Sequence, residues 1–138
     1  MLSGKIVVIT GGAGLIGQRF CQAVAESGGH AVIAENNAAA AAGARDALAR
    51  WSDSISLVAM DITAPASVQA ALAEVVARLG KVDALVNCAY PRNARYGRHF
   101  FDVDFADFNE NVSMSLGGYF LTSQTFAATS KSRATETS

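Results

Sequence analysis

Two textures alternate along the chain. Short unbroken apolar runs, Ile6–Ile9, Ala31–Ala34, Ile55–Ala59 and Val82–Val86, are rich in β-branched residues and lead into polar ones. They read as buried strands. Between them lie segments with helical spacing. The first is Leu15–Glu26, closed by Ser27-Gly28-Gly29; the second is the alanine-rich stretch Asn37–Trp51, with Asn36 or Asn37 as its cap. A third helix starts from Thr63 or Ser67 near Pro65, carries Val68, Leu72, Val75, Val76 and Leu79 on one face, and stops at Gly80. Strand, helix, strand, helix, strand, helix, strand calls for an α/β fold with a parallel sheet and right-handed crossovers.

Periodicity then lapses. From Asn87 to Asp104 the pattern predicts a loop, holding Tyr90, Pro91, Arg92, Arg95, Tyr96, Arg98 and His99. A long helix over 105–128 follows, with Phe105, Phe108, Val112, Leu116, Phe120 and Phe126 at helical spacing. Gly117 and Gly118 inside it each cost about 1 kcal/mol relative to alanine, which points to close approach of another element. Residues 130–138 carry no apolar side chain larger than alanine and predict a polar, frayed or disordered tail behind a single domain over 1–129.

Composition narrows the function classes. Half the residues are hydrophobic and the net charge is −1, so nothing pulls the chain towards nucleic acid or an anionic membrane surface. No apolar run approaches the ~18 residues of a membrane span, and the expected location is the cytoplasm. Cys21 and Cys88 fit no metal-ligand spacing and read as reduced, half-buried small residues. No metal site is expected.

The candidate chemistry begins at Ile6–Gly17, Ile-Val-Val-Ile-Thr-Gly-Gly-Ala-Gly-Leu-Ile-Gly. A strand, a glycine turn and a helix in immediate succession form a phosphate cradle. Gly11 suits a positive φ, Gly14 lets the backbone approach a pyrophosphate, and Gly17 permits close packing of the helix. Leu15 and Ile16 open that helix. Glu35 arrives about 20 residues on, where a ribose hydroxyl needs an acceptor. The plain alternatives are a flexible turn for the glycines and a solvated strand-end charge for Glu35. Read without further context, Asp61 is a helix-entry residue feeding the cap at Thr63, Asn87 a turn and Asn111 a helix boundary. Arg92 and Arg95 offer paired donors to an anionic substrate, against the plain reading of a solvated loop.

Five features in order, Thr10–Gly17, Glu35, Asp61-Ile62-Thr63, Leu85-Val86-Asn87-Cys88-Ala89 and Glu110-Asn111-Val112, resemble the short-chain dehydrogenase/reductase family. The resemblance covers 2–129. It implies a Rossmann-type doubly wound sheet of order 3-2-1-4, and hydride transfer between a nicotinamide and a carbonyl or alcohol. By position, Gly11, Gly14, Leu15, Ile16 and Gly17 would hold the dinucleotide, Glu35 its adenosine ribose, and Asp61 with Ile62 its adenine. The backbone at Asn87, Cys88 and Ala89 would follow the inner ribose, and Asn111 would hold a water of the proton relay. Glu35, with no basic residue in the glycine loop, favours NAD over NADP. The Tyr-Pro-Arg loop and the Leu-Gly-Gly-Tyr-Phe helix look similar to members of bacterial surface-polysaccharide and flagellin-glycan pathways, implying an acidic or nucleotide-linked sugar.

Some features depart from the family pattern. The glycine spacing looks like the extended branch and the asparagine helix like the short one, while Cys88 and Tyr90 replace an asparagine and a glycine. The catalytic serine and the Tyr-x-x-x-Lys pair are absent: Tyr90, Tyr96 and Tyr119 are followed four positions later by Ala94, Phe100 and Ser123. The expectation is an NAD-dependent oxidoreductase present as a truncated copy, inactive as these 138 residues. Its alternatives are a catalytically silent NAD-binding module and a scaffold chain that binds no nucleotide. An open sheet edge and the long helix 105–128 would then lack covering partners, which predicts a homo-oligomer.

Overall fold

The computed structural model describes residues 1–136. Its strands are β1 Ile6–Thr10, β2 His30–Glu35, β3 Ile55–Ala59 and β4 Ala84–Asn87. They form one parallel sheet in the order β3-β2-β1-β4, with Val7 beside both Ala31 and Ala84. This is the doubly wound order expected from the alternation of elements.

Strand side chains alternate between two cores, because successive residues of a strand point to opposite faces. Val8, Val32, Ala34 and Val58 face α3 (Pro65–Leu79), whose Val68, Ala71, Leu72 and Val75 are buried against them. Val7, Ile9, Ala31, Ile33 and Ile55 face Cys21 and Val24 of α1 (Leu15–Glu26) and Ala44 of α2 (Ala38–Ala47). Ile9 and Ile33 are fully buried. Truncating either to alanine would cost about 2–5 kcal/mol.

Local chemistry explains where elements start and stop. Asn37 caps α2, its side chain accepting from the Ala40 N–H at 2.9 Å. The alanine-rich helix ends at Ala47 instead of running to Trp51, and Ala49–Ser54 tightens into a 3₁₀ segment leading to β3. Proline opens α3 and Gly80, at φ +85°, closes it. Neither Thr63 nor Ser67 caps α3, since Ala64 holds that position. Their side chains instead build the turn before it: Asp61 Oδ1 accepts from the Thr63 N–H at 2.9 Å and the Thr63 hydroxyl at 2.7 Å. Ser67 Oγ accepts from the Asp61 N–H at 2.9 Å.

The long C-terminal helix has three parts. An α-helical stretch α4 (Phe105–Val112) passes through a π segment, Ser113–Gly117, into α5 (Gly118–Glu136). Gly118 fulfils the expected close approach: a Cβ there would lie 2.5 Å from Ile62 Cδ1. Gly117 meets nothing beyond Ser113 Oγ at 3.8 Å. Tyr119, Leu121 and Phe126 pack on the α3 side of the core, whereas Phe105, Phe108, Leu116 and Phe120 stay exposed.

α5 also continues past Ser130, where the sequence predicts fraying. Hydroxyls bond back along it, Thr129 Oγ1 donating to the Thr125 carbonyl at 3.0 Å and Ser132 Oγ to the Thr129 carbonyl at 2.8 Å. Thr137 and Ser138 lie outside the described residues. Among the described residues no helix is long and apolar enough to cross a membrane.

Candidate functional site

A cleft of ≈ 280 Å³ opens where the C-terminal ends of the four strands meet. In a doubly wound sheet the crevice forms where strand order reverses, here between β1 and β4. Gly11 and Gly14 form its floor, Glu35, Asn36, Asp61 and Ile62 line the β2–β3 end, and Cys88, Ala89, Tyr90 and Pro91 line the β4 end. Of the expected cofactor residues, Gly11, Gly14, Glu35, Asp61, Ile62, Cys88 and Ala89 are brought together there.

The glycines of the loop have different reasons to be glycine. Gly11 sits at φ +63°, and a Cβ there would fall 2.6 Å from Ala89 Cα. At Gly17 a Cβ would overlap the Gly11 carbonyl and lie 2.7 Å from Gly12 Cα, so the close packing it permits is on the turn itself. Gly14 is different. It has an ordinary φ of −75°, and a Cβ there would meet only Gly11 O at 3.4 Å, which is normal contact. Nothing in the protein's own packing demands a glycine at that position; what a side chain would fill is the cleft.

Gly14 also begins α1. Among the described residues no side chain caps this terminus, and its first turn has no acidic residue. The first intrahelical bond runs from the Gln18 N–H to Gly14 O at 2.9 Å, so the N–H groups of Leu15, Ile16 and Gly17 precede the hydrogen-bonded ladder. Leu15 and Ile16 have exposed side chains. The positive end of the helix dipole thus faces the cleft without a compensating anion.

At the β2–β3 end, Glu35 Oε1 accepts from the N–H groups of Asn36 at 3.2 Å and Asn37 at 3.3 Å, fixing the carboxylate at the strand end. Asp61 performs the helix-entry task described above with Oδ1 while lining the cleft. No lysine or arginine lines this cleft among the described residues.

The β4 end is held by two devices that sequence reading missed. Thr10, fully buried, accepts at Oγ1 from the N–H groups of Cys88 and Ala89, each at 3.2 Å. The second device is a ladder between the segment after β4 and the long helix. Ser123 Oγ accepts from Asn87 Nδ2 at 3.2 Å, Tyr119 donates to the Ala89 carbonyl at 2.7 Å, and Ser115 donates to the Pro91 carbonyl at 3.1 Å. Asn111 completes it, Oδ1 accepting from the Asn93 N–H at 2.9 Å and Nδ2 donating to Asn93 Oδ1 at 3.1 Å.

Helix residues four apart thus meet chain residues two apart. Four helical residues rise about 6 Å and two extended ones about 6.6 Å, so the rungs stay level. A four-residue step overshoots a full α-helical turn by about 40°, and the π segment, with its i→i+5 closure, takes up part of that overshoot. The stripe Asn111, Ser115, Tyr119, Ser123 is visible in the sequence, but its partner is an aperiodic loop with no signal of its own.

These contacts engage the side chains of several expected residues. The Asn87 side chain is engaged with α5, its Oδ1 accepting from the buried Thr122 hydroxyl at 2.8 Å. Asn111, expected in a proton relay, spends its side chain on Asn93 and on the Asp107 carbonyl at 2.8 Å. Arg95, expected to meet an anionic substrate, is held at 2.6 Å by Asp104 and at 2.8 Å by Asp107, away from the cleft lining. Arg92 lies over the rings of Tyr90 and Tyr96, 5.8 and 5.7 Å from their centroids.

Titration follows from these surroundings. Burial pushes the Cys88 thiol up, and burial followed by the neighbouring Cys88 pushes Cys21 up to about 12. Both are neutral at pH 7 and neither is a thiolate nucleophile. Tyr90, hydrogen-bonded to the Tyr96 hydroxyl at 2.6 Å, is pushed above the ordinary phenol value. It stays protonated.

Comparison with known proteins gives a consistent picture. A family model described as short chain dehydrogenase matches residues 5–135. Post-translational flagellin modification protein A of Campylobacter coli is 27% identical over 128 residues, covering 91% of this chain and 50% of the relative. The 7alpha-hydroxysteroid dehydrogenase of Escherichia coli strain K12 is 31% identical over 126 residues, covering 91% and 48%. The chain spans about half the length of these curated relatives. The crystal structure of gox2181 superposes with a TM-score of 0.82 at 31% identity, over 93% of this chain and 49% of that one. An actinorhodin polyketide ketoreductase solved with NADPH, at 20% identity and a TM-score of 0.79 over 91% of this chain and 48% of its own, shares the fold.

Proposed function

This chain belongs to the short-chain dehydrogenase family, and on that premise we propose that its cleft binds a nicotinamide dinucleotide, with NAD preferred over NADP. The observation that carries the reading is Gly14, a glycine its own protein does not require, placed under an uncapped helix terminus. The N–H groups of Leu15, Ile16 and Gly17 would donate to the pyrophosphate. Glu35 would accept from the adenosine ribose hydroxyls, and Ile62 beside Asp61 would flank the adenine. Cys88 and Ala89 would wall the inner ribose through their surfaces, since Thr10 takes both N–H groups. A 2′-phosphate would face the carboxylates of Glu35 and Asp61 with no cation in the lining, which disfavours NADP.

Once bound, the nicotinamide supplies or accepts hydride at C4 against a carbonyl or alcohol. Within these 138 residues no tyrosine has a lysine four positions later. The work of its own residues is then to bind and orient. We place the protein in the cytoplasm, with the exposed α4–α5 face joining copies of the chain.

Titration of the purified chain with NADH and NADPH, read by energy transfer from Trp51 and by calorimetry, tests this directly. Saturable NADH binding that is at least about fivefold tighter than NADPH binding is expected, a difference near 1 kcal/mol. A folded sample with no saturable binding of either would overturn the reading and bring forward a scaffold that binds no nucleotide.

A further inference from the structure

The segment that walls the β4 end of the cleft leads to an arginine with no carboxylate of its own, and we propose that Arg92 anchors an anionic group of the substrate, a carboxylate or phosphate. Residues 87, 89, 91 and 93 are each bonded to the long helix. Cys88, Ala89, Tyr90 and Pro91 line the cleft, and Arg92 follows them directly with its guanidinium over the Tyr90 ring.

The three arginines of the loop differ in what occupies them. Arg95 is neutralised by Asp104 and Asp107. Among the described residues no contact places Arg98 at the cleft. Arg92 forms no ion pair among the described residues, and its partners are two aromatic rings. A cation–π contact uses none of the guanidinium N–H donors in a hydrogen bond, which leaves the fork that matches a carboxylate or phosphate.

The platform beneath it is fixed in advance. Tyr90 and Tyr96 meet edge to face at 89° and share the hydroxyl contact at 2.6 Å. The preceding Pro91 carbonyl is held by Ser115. A preorganised cation loses less freedom on binding than a free surface arginine. Polarity of the cleft adds direction: Glu35 and Asp61 make its β2–β3 end negative, so an anion is favoured past the opposite end, where Arg92 follows Pro91.

Calling the anion a substrate group rests on the dinucleotide reading given above. The test therefore measures anion and cofactor separately. D-Glucuronate, D-glucose 6-phosphate and D-glucose present one ring with a carboxylate, a phosphate or no charge. Each is titrated into the chain with and without saturating NADH, followed by saturation-transfer NMR and calorimetry. At least one charged sugar is expected to bind about tenfold or more tighter than glucose, and which one does so identifies the anion. Arg92→Gln should weaken that sugar about fivefold or more while NADH affinity stays within about twofold, and Arg92→Lys should fall between for want of the fork. Tyr96→Leu should also weaken it by releasing the guanidinium, and Arg98→Gln should leave it unchanged.

Charged sugars that bind no better than glucose, or whose binding survives Arg92→Gln, would overturn the proposal. So would an equal loss in Arg98→Gln, which would mark a general charge effect. If NADH fails to bind while a charged sugar binds through Arg92, the anchor stands and the redox reading falls.

Discussion

The Tyr119 hydroxyl donates to the Ala89 carbonyl at 2.7 Å, tying the second half of the long helix to the wall of the cleft. Ala89 is held from both sides, since its N–H donates to buried Thr10. Tyr119→Phe keeps the packing and removes one hydrogen bond. A loss of about 1 kcal/mol is expected in urea denaturation, with NADH binding weakened by up to about fivefold as the wall loosens. A variant with unchanged stability and unchanged affinity would show that the rung is dispensable.

Gly14 and Gly17 should separate binding from folding. At Gly14 an added Cβ meets ordinary contact, so Gly14→Ala is expected to hold stability within about 0.5 kcal/mol. It should still weaken NADH about tenfold or more by intruding on the pyrophosphate. At Gly17 the same Cβ would press on the backbone of Gly11 and Gly12, and Gly17→Ala should cost about 1–3 kcal/mol or more. Thermal melts beside NADH titrations distinguish the two, and equal destabilisation would remove the ligand argument for Gly14.

Acid should weaken the fold through His30. Its Nε2 lies 2.7 Å from Ser56 Oγ, and burial, with Arg78 second, holds its pKa below the usual 6.5. The folded state therefore binds this proton less readily than the unfolded chain. The His30 contribution is full above the unfolded pKa, falls as pH drops below 6.5, and levels off once the folded imidazole itself is protonated. Denaturation midpoints measured from about pH 7.5 down to pH 5 should show a decline that His30→Gln makes shallower. Parallel curves for the two proteins would assign the decline to other groups.

Phe105, Phe108, Val112, Leu116 and Phe120 recur at steps of three or four along α4, the π segment and α5, and all are exposed. A contiguous exposed apolar stripe of this kind marks a surface for association. Sedimentation velocity is expected to find a dimer or higher species that Phe108→Glu with Leu116→Glu converts to monomer. A wild-type chain that stays monomeric at tens of micromolar would refute self-association through this face.

The amino-acid sequence by itself determined the sheet and its cradle. Apolar runs of four or five residues, separated by helices with one apolar face, admit few arrangements other than a parallel sheet covered on both sides. The glycine turn between β1 and α1 is encoded locally, because Gly11 supplies a backbone conformation that few other residues adopt. Glu35 and Asp61 could be placed at the cleft from the same pattern, since strand ends in this topology share one edge.

Tertiary structure alone decided the side-chain contacts beyond β4. Which arginine is neutralised depends on Asp104 and Asp107 folding back on Arg95, a contact between side chains that loop sequence does not specify. Asn111 was legible as a polar position on a helix, yet its partner Asn93 lies 18 residues away in an aperiodic segment. The π segment is likewise a compromise between two repeats, four residues on the helix and two on the extended chain. Neither repeat contains that compromise until the two elements meet.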